Sequence, residues 1–142
     1  MAQFNVRATG VLMSDEGEVL LLKRAPAPGS EFIGWEFCGG GVEHGESPED
    51  ALAREYKEET GLKVDVMQIF HARTGKREGQ PLLNLAYLCR PLGDKVKLTP
   101  EHSEFVWVPI EDLDQHDLGP HVNLDRDAFL AISKGSGMID DE

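Results

Sequence analysis

The spacing of apolar and polar positions predicts two strands near the start of the chain, residues 4–13 and residues 18–23 (EVLLLK). Between them lies Ser14-Asp15-Glu16-Gly17, a run of turn formers, so a hairpin is expected. Residues 25–30 (APAPGS) read as a loop by their Pro and Gly content, and a short aromatic stretch, residues 31–37, leads to Gly39, Gly40 and Gly41. Consecutive glycines offer no side chains to a core. They mark tight backbone geometry, close approach of a ligand, or packing against a neighbouring strand. Further strands are expected at 64–70, 82–89 and 105–108, and a closing helix at 123–133 with Leu124, Phe129, Leu130 and Ile132 available to the core. No internal repeat is visible, and the polar tail, residues 135–142, is expected to fray.

Between the glycines and the third strand, the pattern changes to a helical period. Ser47 is placed to cap the helix, Pro48 takes the first helical position, Asp50 stands three residues after the cap, and Gly61 ends it. Leu52, Ala53 and Tyr56 form the apolar side. At 100° per residue, Glu55, Glu58 and Glu59 fall within about 100° of one another on the adjacent side, so three carboxylates share one face.

Composition narrows what that face can serve. The chain has 142 residues, 40% of them hydrophobic, with 14 Lys+Arg against 26 Asp+Glu and a formal net charge of -12. This suits one compact soluble domain spanning residues 1–142. It argues against a duplex nucleic-acid binder, which needs a basic surface. No apolar run approaches the roughly 20 residues that span a bilayer, and MAQFNVRATG lacks the plan of a secretory signal, so a cytoplasmic protein without membrane partners is expected. Cys38 and Cys89 form no CxxC pair and read as reduced thiols.

Like charges at i, i+3 and i+4 cost a helix a few tenths of a kcal/mol per pair unless something neutralises them. One reading is a solvated acidic face relieved by Arg54 and Lys57. The other is a divalent cation, and an all-oxygen ligand set suits Mg²⁺ or Mn²⁺ better than zinc. The glycine loop just ahead of the helix favours the second reading, because it offers backbone carbonyls to a metal and room for phosphate oxygens. His44, His71, His102, His116 and His121 show no ligand spacing and read as surface or loop residues.

Gly40, Glu46, Arg54, Glu55, Glu58, Glu59 and Gly61 match every fixed position of G-x5-E-x7-R-E-U-x-E-E-x-G-U, the box of the Nudix hydrolases. A chance match in one window is on the order of 10⁻⁷ to 10⁻⁸ at average residue usage. The chain therefore resembles that family, with two departures: Tyr56 stands where an aliphatic residue is usual, and Cys38 where a proline commonly precedes the glycine pair. The resemblance implies a Nudix α/β/α sandwich with a mixed β-sheet, and a metal-dependent hydrolase of nucleoside diphosphates linked to another group. It implies that Glu58, Glu59 and the Gly39 carbonyl ligate Mg²⁺ or Mn²⁺, that Glu55 ligates metal or acts as base, and that Arg54 orients the glutamates. Glu46 would be structural or an outer ligand, pairing with Arg54, and Gly40 and Gly61 would be structural. A further glutamate from a later loop is expected at Glu104 or Glu101, with Glu104 favoured because it precedes an apparent strand.

Arg24 in LKRA, Phe37 before the glycines and Asn123 ahead of the last helix resemble the nucleotide-binding residues of the MutT branch. A cation, a stacking face and a donor-acceptor pair suit a nucleotide base. Each also has a plainer reading: surface charge for Arg24, core packing for Phe37 and helix capping for Asn123. The resemblance implies a purine nucleoside triphosphate such as 8-oxo-dGTP, cleaved to monophosphate and pyrophosphate. ADP-ribose, sugar nucleotides and dinucleoside polyphosphates are the alternatives, although Arg77 and Gly79 stand where markers of two of those classes would fall. A Nudix-fold binding module without catalysis is the other class of function, and the intact glutamates argue against it. A homodimer is compatible with this reading.

Overall fold

The computed structural model describes residues 4–26, 34–116 and 118–135. Part of the loop expected at 25–30 (27–30), part of the aromatic stretch (31–33) and the tail from residue 136 lie outside the described residues. Among the described residues the strands form two sheets. Strands β1 (Asn5–Leu12), β4 (Cys38–Gly41), β5 (Val64–Arg77) and β6 (Gln80–Pro91) form one in the order β4-β1-β6-β5; β2 (Glu18–Arg24), β3 (Trp35–Glu36) and β7 (His102–Pro109) form the other in the order β3-β2-β7. The first sheet is mixed, because β1 runs parallel to β6 and antiparallel to β4.

β1 and β2 do not form the hairpin ladder that their spacing predicts. The turn is present, with the Gly17 amide donating to the Ser14 carbonyl at 3.0 Å, but only one antiparallel bridge, Met13 to Val19, joins the two strands. Both are buried on both faces, and each finds its neighbours in a different sheet. The hairpin that does form joins β5 to β6 through Glu78-Gly79, with positive φ at both residues (53° and 80°), the geometry of a tight two-residue turn. β5 runs seven residues past the expected end at residue 70, through a polar stretch with little apolar alternation.

Helix α1 (Pro48–Thr60) follows its sequence signals closely. The Ser47 hydroxyl accepts the Asp50 amide at 3.0 Å, and Gly61, left-handed at φ 74°, returns its amide to the Lys57 carbonyl. Ala8, Leu12, Leu22, Leu52, Tyr56 and Leu62 build the core on this side. The opposite core holds Val11, Val19, Leu21, Phe37, Val108 and Phe129 beneath helix α2 (Pro120–Gly135). The sheets thus lie between helices, an α/β/α sandwich with a mixed sheet. Helix α2 begins three residues earlier than expected, so Asn123 lies inside its first turn, not at the cap. Leu124 is 50% exposed and contributes no core face. Cys38 and Cys89 are free and buried. Among the described residues no helix is long and apolar enough to cross a membrane.

Candidate active site

The carboxylate face of α1 lies along β4. Glu59 meets the Cys38 thiol, whose Sγ donates to Oε1 at 3.4 Å, and one helical turn earlier the Glu55 carboxylate covers Gly40. Four helical residues rise about 6 Å, and two strand residues rise about 6.8 Å. The i, i+4 glutamates therefore match the i, i+2 positions of the strand. A Cβ on Gly40 would overlap the Glu55 carboxylate, and one on Gly39 would sit 2.5 Å from the Ala8 carbonyl oxygen. Gly39 is sterically required by backbone, whereas a side chain at Gly40 would displace the Glu55 carboxylate.

Arg54 organises the cluster. Its Nε and Nη2 donate to the two carboxylate oxygens of Glu46 at 2.8 and 3.1 Å, a planar fork, while Nη1 reaches Glu55 at 3.0 Å and Glu58 at 3.3 Å. Nη2 also donates to the Gly41 carbonyl at 3.1 Å, tying helix to strand. The Glu46 fork, ahead of the opposing effect of burial and with the Glu55 contribution behind it, raises the Arg54 pKa, so it stays charged. Glu46 is held below its ordinary value by the Arg54 hydrogen bonds and the Glu43 amide. Glu59 goes the other way: burial first, then the facing Glu55 carboxylate, raise it to about 8.

Those groups fit a divalent cation in chemistry. All the donors are hard oxygens, and the Glu59 carboxyl, raised by burial and by the Glu55 charge, sits where a cation would relieve it. The side chains are not closed around one point. Glu58 is 58% exposed and turned to Arg54, and among the described residues no group of three carboxylate, imidazole or thiol side chains is set to hold an ion.

Of the two later glutamates, Glu101 is the one whose charge acts on Glu59. Glu104 is exposed on β7, opposite Lys23, and pairs with that ammonium at 3.7 Å. The charge of Glu101 thus reaches the α1 carboxylates, while Glu104 is engaged by Lys23.

Beside the carboxylates lies a cavity of about 320 Å³. Its floor is one sheet face, where register aligns Arg73 of β5, Asn84 of β6 and Arg7 of β1 across three strands. Phe37, Glu36 and the start of α2, with Gly119, Val122 and Asp125, complete the walls. Asp125 is 1% exposed. Its carboxylate accepts a fork from Arg73 at 3.1 Å on each oxygen, with His71 Nδ1 3.2 Å away and Asn84 Nδ2 at 3.5 Å; Asn84 Oδ1 in turn accepts the Thr9 hydroxyl at 2.9 Å. On the other wall Glu36 accepts Arg24 Nη2 at 3.2 Å, with His102 Nε2 2.7 Å away. Burial alone would raise the Glu36 pKa, but the His102 hydrogen bond and the Arg24 charge outweigh it and hold the carboxyl below its ordinary value. His102 is 4% exposed, so it is no loop residue, and His71 is also engaged.

Of the three residues expected at the nucleotide, Phe37 lines the cavity, 5% exposed. Arg24 reaches it only through Glu36, and Asn123 turns its amide to the Leu118 carbonyl at 3.3 Å, outside the lining. Sequence reasoning does not single out Arg7, Arg73, Asn84 or Asp125 as site residues, since they come together only through sheet register and the docking of α2. Strand alternation in RATGVL does place Arg7 on the face of Thr9 and Val11, an inward face on which a cation is out of place.

A family model described as the NUDIX domain matches residues 4–129. The nucleoside triphosphatase NudI of Escherichia fergusonii is 34% identical, the match covering 75% of this chain and 84% of that relative. Among solved structures, the E. coli ORF135 protein superposes with a TM-score of 0.79 at 28% identity, covering 94% of this chain and 93% of that one. The MutT protein of Methanosarcina mazei Go1 gives 0.78 at 25% identity, over 95% and 96%.

Proposed function

The chain belongs to the NUDIX domain family and is a hydrolase of pyrophosphate bonds, and we propose that it cleaves a nucleoside triphosphate to monophosphate and pyrophosphate with Mg²⁺ or Mn²⁺. The observation that carries this reading is the meeting of the α1 carboxylates with a nucleoside-sized cavity, joined by Arg7. That guanidinium lines the cavity and feels the charges of Glu59 and Glu55. The likeness to NudI, a nucleoside triphosphatase, supports the substrate class.

Glu58, Glu59 and the Gly39 carbonyl would hold the metal, with Glu55 beside them. A bound divalent cation supplies charge neutralisation between acidic protein and acidic substrate and lowers the pKa of a coordinated water. Glu58 would turn from Arg54 to join that set, while Arg54 keeps Glu55 and Glu46 in place. Glu55, fixed between Arg54 and Gly40, accepts the proton of the attacking water, with Glu101 as the further carboxylate. Phe37 offers a wall to the base, and Arg24 acts by holding Glu36. Asn123 contacts a purine edge only if its amide turns from Leu118.

The test is a substrate panel: ordinary and 8-oxo nucleoside triphosphates, ADP-ribose, a sugar nucleotide and a dinucleoside polyphosphate, with products resolved by phosphorus NMR. A triphosphate is expected to give the highest kcat/KM, releasing pyrophosphate. Orthophosphate as the first product, or ADP-ribose as the far better substrate, would overturn the reading. An 8-oxo-dGTP preference that survives Asn123→Ala would remove Asn123 from base selection.

A further inference from the structure

The cavity is basic in a chain of net charge -12. Its two acids are already matched: Asp125 by Arg73, and Glu36 by Arg24 and His102. Arg7, Lys76 and Arg77 also line it, and none of the three has an ion pair or side-chain hydrogen bond among the described residues. Arg7 is half-buried; burial first, then the charge of Arg77, pull its pKa down more than the charges of Glu36, Glu59 and Glu55 raise it, and none of those carboxylates forms an ion pair with it. Gly75, between Arg73 and Arg77 on the same strand face, leaves open space, since a Cβ there meets nothing within 4 Å. The N-terminal end of α2, the positive end of its dipole, closes the far wall. A neutral nucleoside needs no such surplus of positive charge, whereas a phosphate would relieve it.

We propose that Arg7, Lys76 and Arg77 form an anion subsite that takes a phosphate of the substrate beyond those held at the α1 carboxylates. Arg7 stands where the two regions meet, and Arg77 and Lys76 extend the positive charge outward along β5. The favoured substrate then carries phosphate charge on the cavity side as well as at the scissile linkage. The inference rests on the nucleotide reading above, so its first test uses no turnover.

Inorganic triphosphate is titrated by calorimetry in EDTA into the wild-type protein and into Arg7→Gln, Arg77→Gln and Arg90→Gln. The last is a control whose guanidinium lies 3.7 Å from Asp65. Binding is expected to weaken at least about 10-fold in each of the first two, the loss of one charge-assisted hydrogen bond, and to stay unchanged in the control. Absent binding, or equal binding by all four proteins, would overturn the subsite whether or not triphosphates are hydrolysed. The source of the phosphate is then read from two substrate pairs, a nucleoside diphosphate against its triphosphate and a nucleotide with and without a 3′-phosphate. The kcat/KM gain from the added phosphate is expected to fall in Arg77→Gln for the pair that uses the subsite; a gain unchanged in both pairs would contradict it.

Discussion

The Tyr56 hydroxyl donates to the Gly10 carbonyl at 2.9 Å, and the ring lies so close that a Cβ on residue 10 would sit 2.7 Å from it. Residue 10 must therefore be glycine because residue 56 is tyrosine. This explains how an aromatic occupies a box position that is usually aliphatic: it is 1% exposed, packed on Leu52 and Leu12, with its one polar atom satisfied.

Gly10→Ala is expected to cost roughly 1–3 kcal/mol in chemical denaturation, the usual range for overpacking. In the double variant with Tyr56→Leu that penalty should largely disappear, giving a non-additive cycle. Strict additivity would show that the two residues do not share this space.

Glu36 makes stability acid-sensitive. Its folded pKa lies below the ordinary 4.5, so its contribution is fully present above the unfolded value and is lost as pH falls through the folded one. Glu36→Gln should flatten the acid limb of the stability profile below about pH 4.5. An unchanged acid limb would mean that the His102 and Arg24 contacts contribute nothing.

Metal binding should be visible without substrate. Mg²⁺ at ten times its Kd is expected to stabilise the protein by roughly 1.4 kcal/mol, raising Tm, and Glu59→Gln should reduce the shift. A Tm indifferent to millimolar Mg²⁺ and Mn²⁺ would remove the cation from the α1 face.

Glu101 and Glu104 separate by where their charges act. Glu101→Gln should lower kcat by about 10-fold or more, equivalent to about 1.4 kcal/mol of barrier, while Glu104→Gln should stay near wild type because Glu104 faces Lys23. The opposite ranking would return the role to Glu104.

Signals carried by neighbouring residues were legible in the sequence. Ser47, Pro48 and Gly61 bound α1 because caps are local chemistry, and the box marks the carboxylate face because its spacing is helical. The Glu78-Gly79 turn was harder to read, since glutamate is an unusual residue at positive φ and the flanking polar run lacks alternation. Pairing β1 with β6 and β2 with β7 depends on which strand buries both faces of another, and no local pattern states that. The cavity is the extreme case. Arg73 reaches Asp125 across 52 positions of sequence, and Arg7 lines the cavity within range of the carboxylate charges only because β1 lies between β4 and β6.

Hydrolysis by the α1 carboxylates that lie over Cys38 and Gly40 is the reading on which the proposed function stands. Its most direct test is the turnover of Glu55→Gln on the best triphosphate, measured on protein whose melting curve and Mg²⁺-induced shift are recorded in parallel. Turnover is predicted to fall at least about 100-fold, the lower end for loss of a general base, with the fold intact. Near wild-type turnover in that folded variant would contradict the account and leave the base to be sought at Glu101.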